Sequence, residues 1–138
     1  MTGKSVDTRF IALNSGDLEW VSGAEIQELP PPGPEVKILR HFPGDDNALD
    51  LLVRFPPGYV EPRHTHSGEH MVFILQGQML VDGKTLGPGD YVYGPRDEPH
   101  GPFEYPDGIL LYASHRGDTA HEYEGKDQVT NGRLETSR

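Results

Sequence analysis

The stretch Gly58-Tyr-Val-Glu-Pro-Arg-His64-Thr-His66-Ser-Gly-Glu-His70 places three histidines within seven residues, and Pro95-Arg-Asp-Glu-Pro-His100 brings a fourth. His64 and His66 occupy alternate positions of a predicted β-strand, and alternate residues of a strand point to the same face. Imidazole is the commonest protein ligand for transition metals. The spacing therefore predicts a metal site inside a fold built from strands.

The segments on either side of this stretch also have the pattern of strands. Short apolar or alternating runs recur between turns rich in glycine and proline, as is typical of a β-sandwich or barrel. Asp82-Gly83 predicts a two-residue hairpin, because both turn positions favour positive φ. The fold class predicted is all-β. The predicted strands are Arg9–Leu13, Val36–His41, Leu49–Phe55, Val60–His66, His70–Gln76, Gln78–Val81, Tyr91–Tyr93 and Ile109–His115.

Composition narrows the possible functions. The chain has 138 residues, enough for one domain with its own core. It contains no cysteine, which excludes disulfides, thiolate metal sites and a cysteine nucleophile. Its net charge of -10 would repel phosphate backbones and anionic lipids, so we expect no nucleic-acid partner and no membrane partner. Without an evident targeting segment, the expected location is cytoplasmic.

The histidine stretches carry a resemblance to a known family. The chain resembles a small single-domain cupin, and the likeness extends over roughly residues 36–115. The first cupin motif is matched by Gly58, His64, His66, position 70 and Gly77. The second is matched by Gly89, Pro95 and His100, with Asp97 where glycine is usual and Glu104 where asparagine is usual. The resemblance implies a double-stranded β-helix, or jelly-roll cupin barrel, that binds a metal.

A departure from the family pattern at a ligand position matters most. Most cupins use a glutamate as the fourth ligand, and this chain has His70 there, preceded by Glu69. By strand alternation Glu69 points away from the face that carries His70. The predicted ligands are therefore His64, His66, His70 and His100, and the alternative is that Glu69 or Glu104 rotates in to ligate.

Four neutral imidazoles would leave the charge of a divalent ion uncompensated, which favours anionic chelating substrates. The predicted cofactor is one divalent transition metal; iron and manganese suit oxygen chemistry, whereas nickel, copper and zinc also accept imidazole. The family resemblance, together with the open cationic site, implies a metal-dependent oxygenase acting on a small diketone, hydroxyketone or phenolic compound.

Two other functions are open. A redox-neutral lyase, isomerase or decarboxylase would need a general base, for which the candidates are Glu69, Glu104 and Tyr105. A module that binds a small molecule or a metal without catalysis is the other. The remaining histidines, at positions 41, 115 and 121, lack partners at useful spacing and are interpreted as incidental.

The chain divides into three predicted regions. Residues 1–34 form an N-terminal segment with a proline-rich link, residues 35–115 the barrel, and residues 116–138 a polar tail lying on the surface or partly disordered. Small cupins often pair, so the resemblance implies a homodimer. Arg9–Leu13 would add to the sheet of the second subunit.

Overall fold

The computed structural model describes residues 10–23 and 33–119, together with the backbone of three short strand segments nearer the C-terminus. These residues form one 3₁₀ turn, η1 (Ser15–Asp17), and fourteen strands. Within the described residues, no helix is long and apolar enough to cross a bilayer. The strands are β1 (Val21–Ser22), β2 (Glu35–Phe42), β3 (Ala48–Phe55), β4 (Tyr59–Glu61), β5 (His64–Thr65), β6 (Glu69–Gly77), β7 (Met79–Val81), β8 (Lys84–Leu86), β9 (Tyr91–Gly94), β10 (Phe103–Tyr105), β11 (Ile109–Arg116), β12 (Glu122–Tyr123), β13 (Val129–Thr130) and β14 (Arg133–Leu134).

Two antiparallel sheets make up the body of the protein. The larger has the strand order β1-β2-β3-β11-β6-β9, and the smaller has the order β4-β10-β7-β8. Their inward side chains form a single apolar cluster, in which the rings of Phe55 and Tyr105 stack across the sheets with centroids 4.5 Å apart. The predicted all-β fold is confirmed.

Strand alternation determines which side chains enter this core. On β6, His70, Val72 and Ile74 are buried, whereas Phe73 and Leu75 are exposed. On β11 the inward series is Ile109, Leu111, Ala113 and His115. The predicted hairpin is also confirmed, since Asp82 and Gly83 both have positive φ and connect β7 directly to β8.

The predicted strand Val60–His66 is interrupted. Pro62 and Arg63 separate β4 from β5, because proline has no N–H to donate to a ladder. The break lets the chain change sheets, so that β4 pairs with β10 and β5 pairs with β12. Part of the predicted polar tail therefore belongs to a small two-stranded sheet at the histidine end of the barrel.

Other differences from the predicted strands are local. Phe10–Leu13 forms no strand and is exposed, and the segment's first residue, Arg9, lies outside the described residues. The N-terminal residues that do pair are those of β1, which adds to the edge of β2 within the same chain. Most of the proline-rich link, residues 30–32, also lies outside the described residues, as does His121. Strand β10 was not predicted.

Candidate metal centre

Three histidines from the two sequence stretches converge at one end of the barrel. One imidazole nitrogen from each of His64, His66 and His100 lies within 4.8 Å of the other two. Two ligands that each bind one ion at about 2.1 Å can be at most about 4.2 Å apart. The three nitrogens are therefore close to the separation that a single ion requires.

Backbone hydrogen bonds bring the two stretches together. The amide of His64 donates to the carbonyl of His100, and the amide of His100 donates to the carbonyl of His64, both at 3.0 Å. The amide of Asp97 donates to the carbonyl of His66 at 2.9 Å. Asp97 has φ 61, in the region that glycine adopts most easily and that aspartate tolerates better than most residues. This accounts for an aspartate at a motif position where glycine is usual.

Each of the three rings is held by a carbonyl on the side away from the cluster. Nδ1 of His64 donates to Pro62 O at 2.7 Å, Nδ1 of His66 to Gly68 O at 2.6 Å, and Nδ1 of His100 to Glu98 O at 2.9 Å. A carbonyl oxygen can only accept, so the proton of each neutral ring is on Nδ1 and the lone pair is on Nε2. The rings are therefore in the tautomer that binds a metal through Nε2.

Burial favours the neutral form of two of these rings, His64 and His100, as well. It lowers the pKa of His64 to about 4, and burial together with the neighbouring imidazoles lowers the pKa of His100 to about 4. Nε2 of His100 is buried and has no hydrogen-bond partner within residues 10–23 and 33–119. An inward-facing lone pair of this kind fits a metal ion, so three histidines are positioned to bind one.

His70 lies beside this trio. Its ring centroid is 4.6 Å from that of His66 and 5.2 Å from that of His100. Gly94, which pairs with His70 on the neighbouring strand, leaves room for both rings: a Cβ there would lie 2.7 Å from Nε2 of His70 and 3.1 Å from Cε1 of His100. The four-histidine ligand set stays a prediction, because the group of mutually close nitrogens comprises the other three.

The three candidate bases have different positions. Glu69 faces outward and accepts a hydrogen bond from the Tyr93 hydroxyl at 2.6 Å. Glu104 is exposed on the outer face of β10. The structure therefore brings neither carboxylate into the imidazole cluster. Tyr105 is buried beneath the cluster, where its hydroxyl donates to Glu61 Oε1 at 3.0 Å.

Glu61 also lies at the cluster, although no sequence motif indicated it. This residue is 6% exposed, and its Oε2 lies 3.8 Å from Nε2 of His64. Burial raises its pKa to about 7, against the lowering effects of the Tyr105 hydroxyl and of His66. Spacing offered one clue: Glu61 precedes His64 by three residues, but the intervening Pro62 interrupts the alternation from which its direction could be inferred.

The interpretation of His115 as incidental is not supported. His115 is 3% exposed, and its ring centroid lies 5.4 Å from that of its cross-strand partner His70. Burial lowers its pKa to about 4. The alternation of Ile109–His115 already placed it on the inward face. His41, by contrast, is exposed and bonded to Asn47.

Two spaces adjoin the cluster. An inner cavity of ≈ 30 Å³ has polar walls from Glu61, His70 and His115 among apolar side chains. An outer cleft of ≈ 390 Å³ is lined by His100 and by charged side chains of both signs, Arg63, Lys84, Asp82 and Glu98. Val92 and Phe103 line both spaces, so the cavity and the cleft are adjacent. The cleft has the size of a small-molecule site, whereas the cavity holds about one water.

Comparison with known proteins identifies the family. Residues 8–120 match the ChrR cupin-like domain. The chain belongs to this cupin family. No curated protein matches it in sequence. The family match and the two-sheet architecture confirm the predicted jelly-roll cupin barrel.

Solved structures share the cupin fold. Acetylacetone dioxygenase from Acinetobacter johnsonii matches with TM-score 0.61 and 17% identity, over 85% of this chain and 79% of that chain. The polyketide cyclase RemF from Streptomyces resistomycificus matches with TM-score 0.62 and 20% identity, over 78% and 80%. The DMSP lyase DddQ from Ruegeria pomeroyi matches with TM-score 0.55 and 27% identity, over 75% and 58%. Their names describe three different reactions, so the fold alone does not select one.

Proposed function

We propose that this cupin is a metal-dependent oxygenase acting on a small chelating substrate such as a β-diketone, a hydroxyketone or a phenolic compound. The observation that carries the proposal is the convergence of three imidazoles, each with its lone pair on Nε2, beside an open cleft. One divalent ion, with iron or manganese favoured, would when bound stabilise a substrate anion and supply redox chemistry with oxygen.

Different residues would bind the metal and line the substrate site. His64, His66 and His100 would hold the ion at a fixed position, because each ring is fixed by a carbonyl. Arg63 and Lys84 line the cleft together with Asp82 and Glu98, so these side chains balance in charge and the attraction for an anionic substrate would come from the bound ion.

The test begins with elemental analysis of protein purified without an affinity metal. Protein loaded with iron(II) or manganese(II) is then mixed with acetylacetone, hydroxyketones and catechol-type phenols while oxygen uptake is recorded. We expect uptake with at least one class and none in His66→Ala, which removes a ligand. Glu104→Gln is the matched control, because it changes an exposed residue. Stoichiometric iron without oxygen uptake across the panel would contradict the proposal.

A second candidate is a redox-neutral reaction in which the ion acts only as a Lewis acid. Two observations favour it: a buried carboxylate, Glu61, at the cavity wall, and the 27% identity with a DMSP lyase. Substrate turnover under strict anaerobiosis would support this reaction class against oxygenation. Tight ligand binding without turnover in either condition would instead indicate a binding module.

A further inference from the structure

Glu61 is a carboxylate taken almost completely out of water at the histidine end of the barrel. Its two oxygens have different neighbours. Oε1 accepts a hydrogen bond from Tyr105, and Oε2 faces Nε2 of His64 at 3.8 Å. Neither cupin motif includes this position, so the resemblance gave Glu61 no role.

A buried carboxylate is costly unless a positive charge or several hydrogen bonds compensate it. The imidazole nearest to Glu61 would not supply that charge when it ligates a metal, because a ligating imidazole is neutral and His64 holds its ring proton on Nδ1, in a hydrogen bond to Pro62 O. A divalent ion at the three Nε2 atoms would supply it. Glu61 faces the nitrogen that would bind the ion, and the resulting charge would keep the carboxylate ionised.

The side of the cluster on which Glu61 lies is also defined. Glu61 lines the inner cavity, as do His70 and His115, whereas His100 lines the outer cleft. Nε2 of His115 is buried there without a hydrogen-bond partner in the described part of the chain. The cavity, at ≈ 30 Å³, has room for about one water-sized molecule.

We propose that Glu61 is the anionic partner of the metal ion and that it accepts a hydrogen bond from a small neutral donor, such as water, held in the inner cavity. This inference rests on the metal site of the proposed function. The Glu61 carboxylate would reduce the net positive charge of the metal site from two to one. Four neutral imidazoles alone would leave both positive charges of the ion uncompensated. The cavity side would favour hydrogen-bond donors over anions, and the cleft side would remain open to an anionic substrate.

The experiment compares Glu61→Gln with Glu104→Gln. Glutamine has the size of glutamate and can still accept the hydrogen bond from Tyr105, so the substitution removes mainly the charge. Cobalt(II) affinity, measured by chelator competition, should fall on the order of 10–100-fold in Glu61→Gln, the usual effect of losing a residue that supports a metal site. Glu104→Gln, whose side chain is exposed on the outer face, should bind cobalt(II) like the wild type.

A second readout uses azide on the cobalt(II)-loaded proteins, followed in the visible spectrum. A carboxylate close to the ion lowers the net positive charge that attracts an anion, so Glu61→Gln should bind azide on the order of tenfold more tightly than the wild type does. Glu104→Gln should leave azide affinity unchanged. Unchanged cobalt(II) and azide affinities in Glu61→Gln would overturn the proposal, as would equal changes in both variants.

The outcomes separate this inference from the proposed function. If folded wild-type protein binds no cobalt(II), or if His100→Ala binds it as tightly as the wild type, the metal site itself fails. If Glu61→Gln does not fold, Tyr105→Phe provides the second variant, because it removes only the hydrogen bond to Oε1. We expect Tyr105→Phe to weaken cobalt(II) binding severalfold, and no change in a folded Tyr105→Phe would then overturn the role of Glu61.

Discussion

Glu61 and Glu104 lie on adjacent strands of the same sheet and have opposite environments. Their strands are paired so that Phe103 is opposite Glu61 and Glu104 is opposite Val60. Glu61 is therefore on the inner face, 6% exposed, while Glu104 is on the outer face and exposed. A shift of one residue along a strand decides whether a carboxylate meets the histidine cluster or the solvent.

The comparison shows what a motif can and cannot locate. The histidine spacing identifies the end of the barrel where chemistry is expected, but it does not indicate which acidic side chains face inward. Glu69 and His70 repeat the contrast on β6, where the histidine is buried and the glutamate is bonded to Tyr93 outside. Inner and outer members of such pairs should respond very differently to substitution.

The largest contrast is expected between an inner and an outer histidine. His100→Ala removes one of three converging nitrogens, so cobalt(II) affinity should fall by more than about 100-fold, the upper range for residues that only support ligands. His41→Ala, which changes an exposed ring bonded to Asn47, should leave the affinity unchanged. Chelator competition measures both, and equal affinities for the two variants would remove the distinction between inner and outer rings.

The next largest effect is expected in the pH dependence of folding stability, to which the buried His115 contributes. Its folded pKa of about 4 lies below the usual value of 6.5. The unfolded chain therefore binds the extra proton first, and the stability contributed by neutral His115 is complete above pH 6.5 and lost as pH falls towards 4. The loss is about 3 kcal/mol, since one pKa unit corresponds to about 1.4 kcal/mol.

The measurement is urea unfolding of metal-free protein between pH 7 and pH 4, comparing wild type with His115→Gln. Between pH 7 and pH 4 the wild type should lose about 3 kcal/mol more stability than His115→Gln does. Glu61 acts in the opposite direction, because its raised pKa stabilises the fold at low pH and this contribution disappears as pH rises through about 7. It is present in both proteins and cancels in the difference. If the unfolding free energies of the two proteins changed with pH in parallel, the pKa of His115 would be the same in the folded and the unfolded chain.

A smaller effect should come from the space around His70. Gly94→Ala puts a methyl group 2.7 Å from the present position of His70 Nε2, so the ring must shift. If His70 is the fourth ligand, cobalt(II) affinity should fall about tenfold, while stability should change by about 1 kcal/mol because a side-chain end can shift. Gly87→Ala is the matched control, since its new methyl group would have a nearest neighbour at 4.0 Å. Unchanged affinity in Gly94→Ala would indicate a three-histidine site.

Much of this architecture could be predicted because the signals were local. Alternation located β6 and β11, the Asp82-Gly83 dipeptide located a hairpin, and the histidine spacing located the cluster. Strand β10 was missed because three residues between Pro102 and Pro106 are too few to show alternation. With β10 unassigned, the outward direction of Glu104 and the inward direction of Tyr105 could not be inferred.

Glu61 and the pairing of β12 depend on distant parts of the chain. The burial of Glu61 is fixed by its cross-strand partner Phe103 and by Tyr105, both more than forty residues away. The strand β12 pairs with β5 although its own sequence is polar. Such contacts arise from tertiary packing, which local patterns do not contain.

The smallest effect is expected for Glu69, and it tests strand alternation itself. Glu69→Gln keeps an acceptor for the Tyr93 hydroxyl on the outer face and removes a charge that the structure places away from the histidine cluster. Cobalt(II) affinity should therefore change by less than about twofold, as for surface substitutions in general. A tenfold loss in Glu69→Gln, with Glu61→Gln silent, would mean that the carboxylate next to His70 rotates inward to ligate the ion, and the contrast between inner and outer glutamates would be reversed.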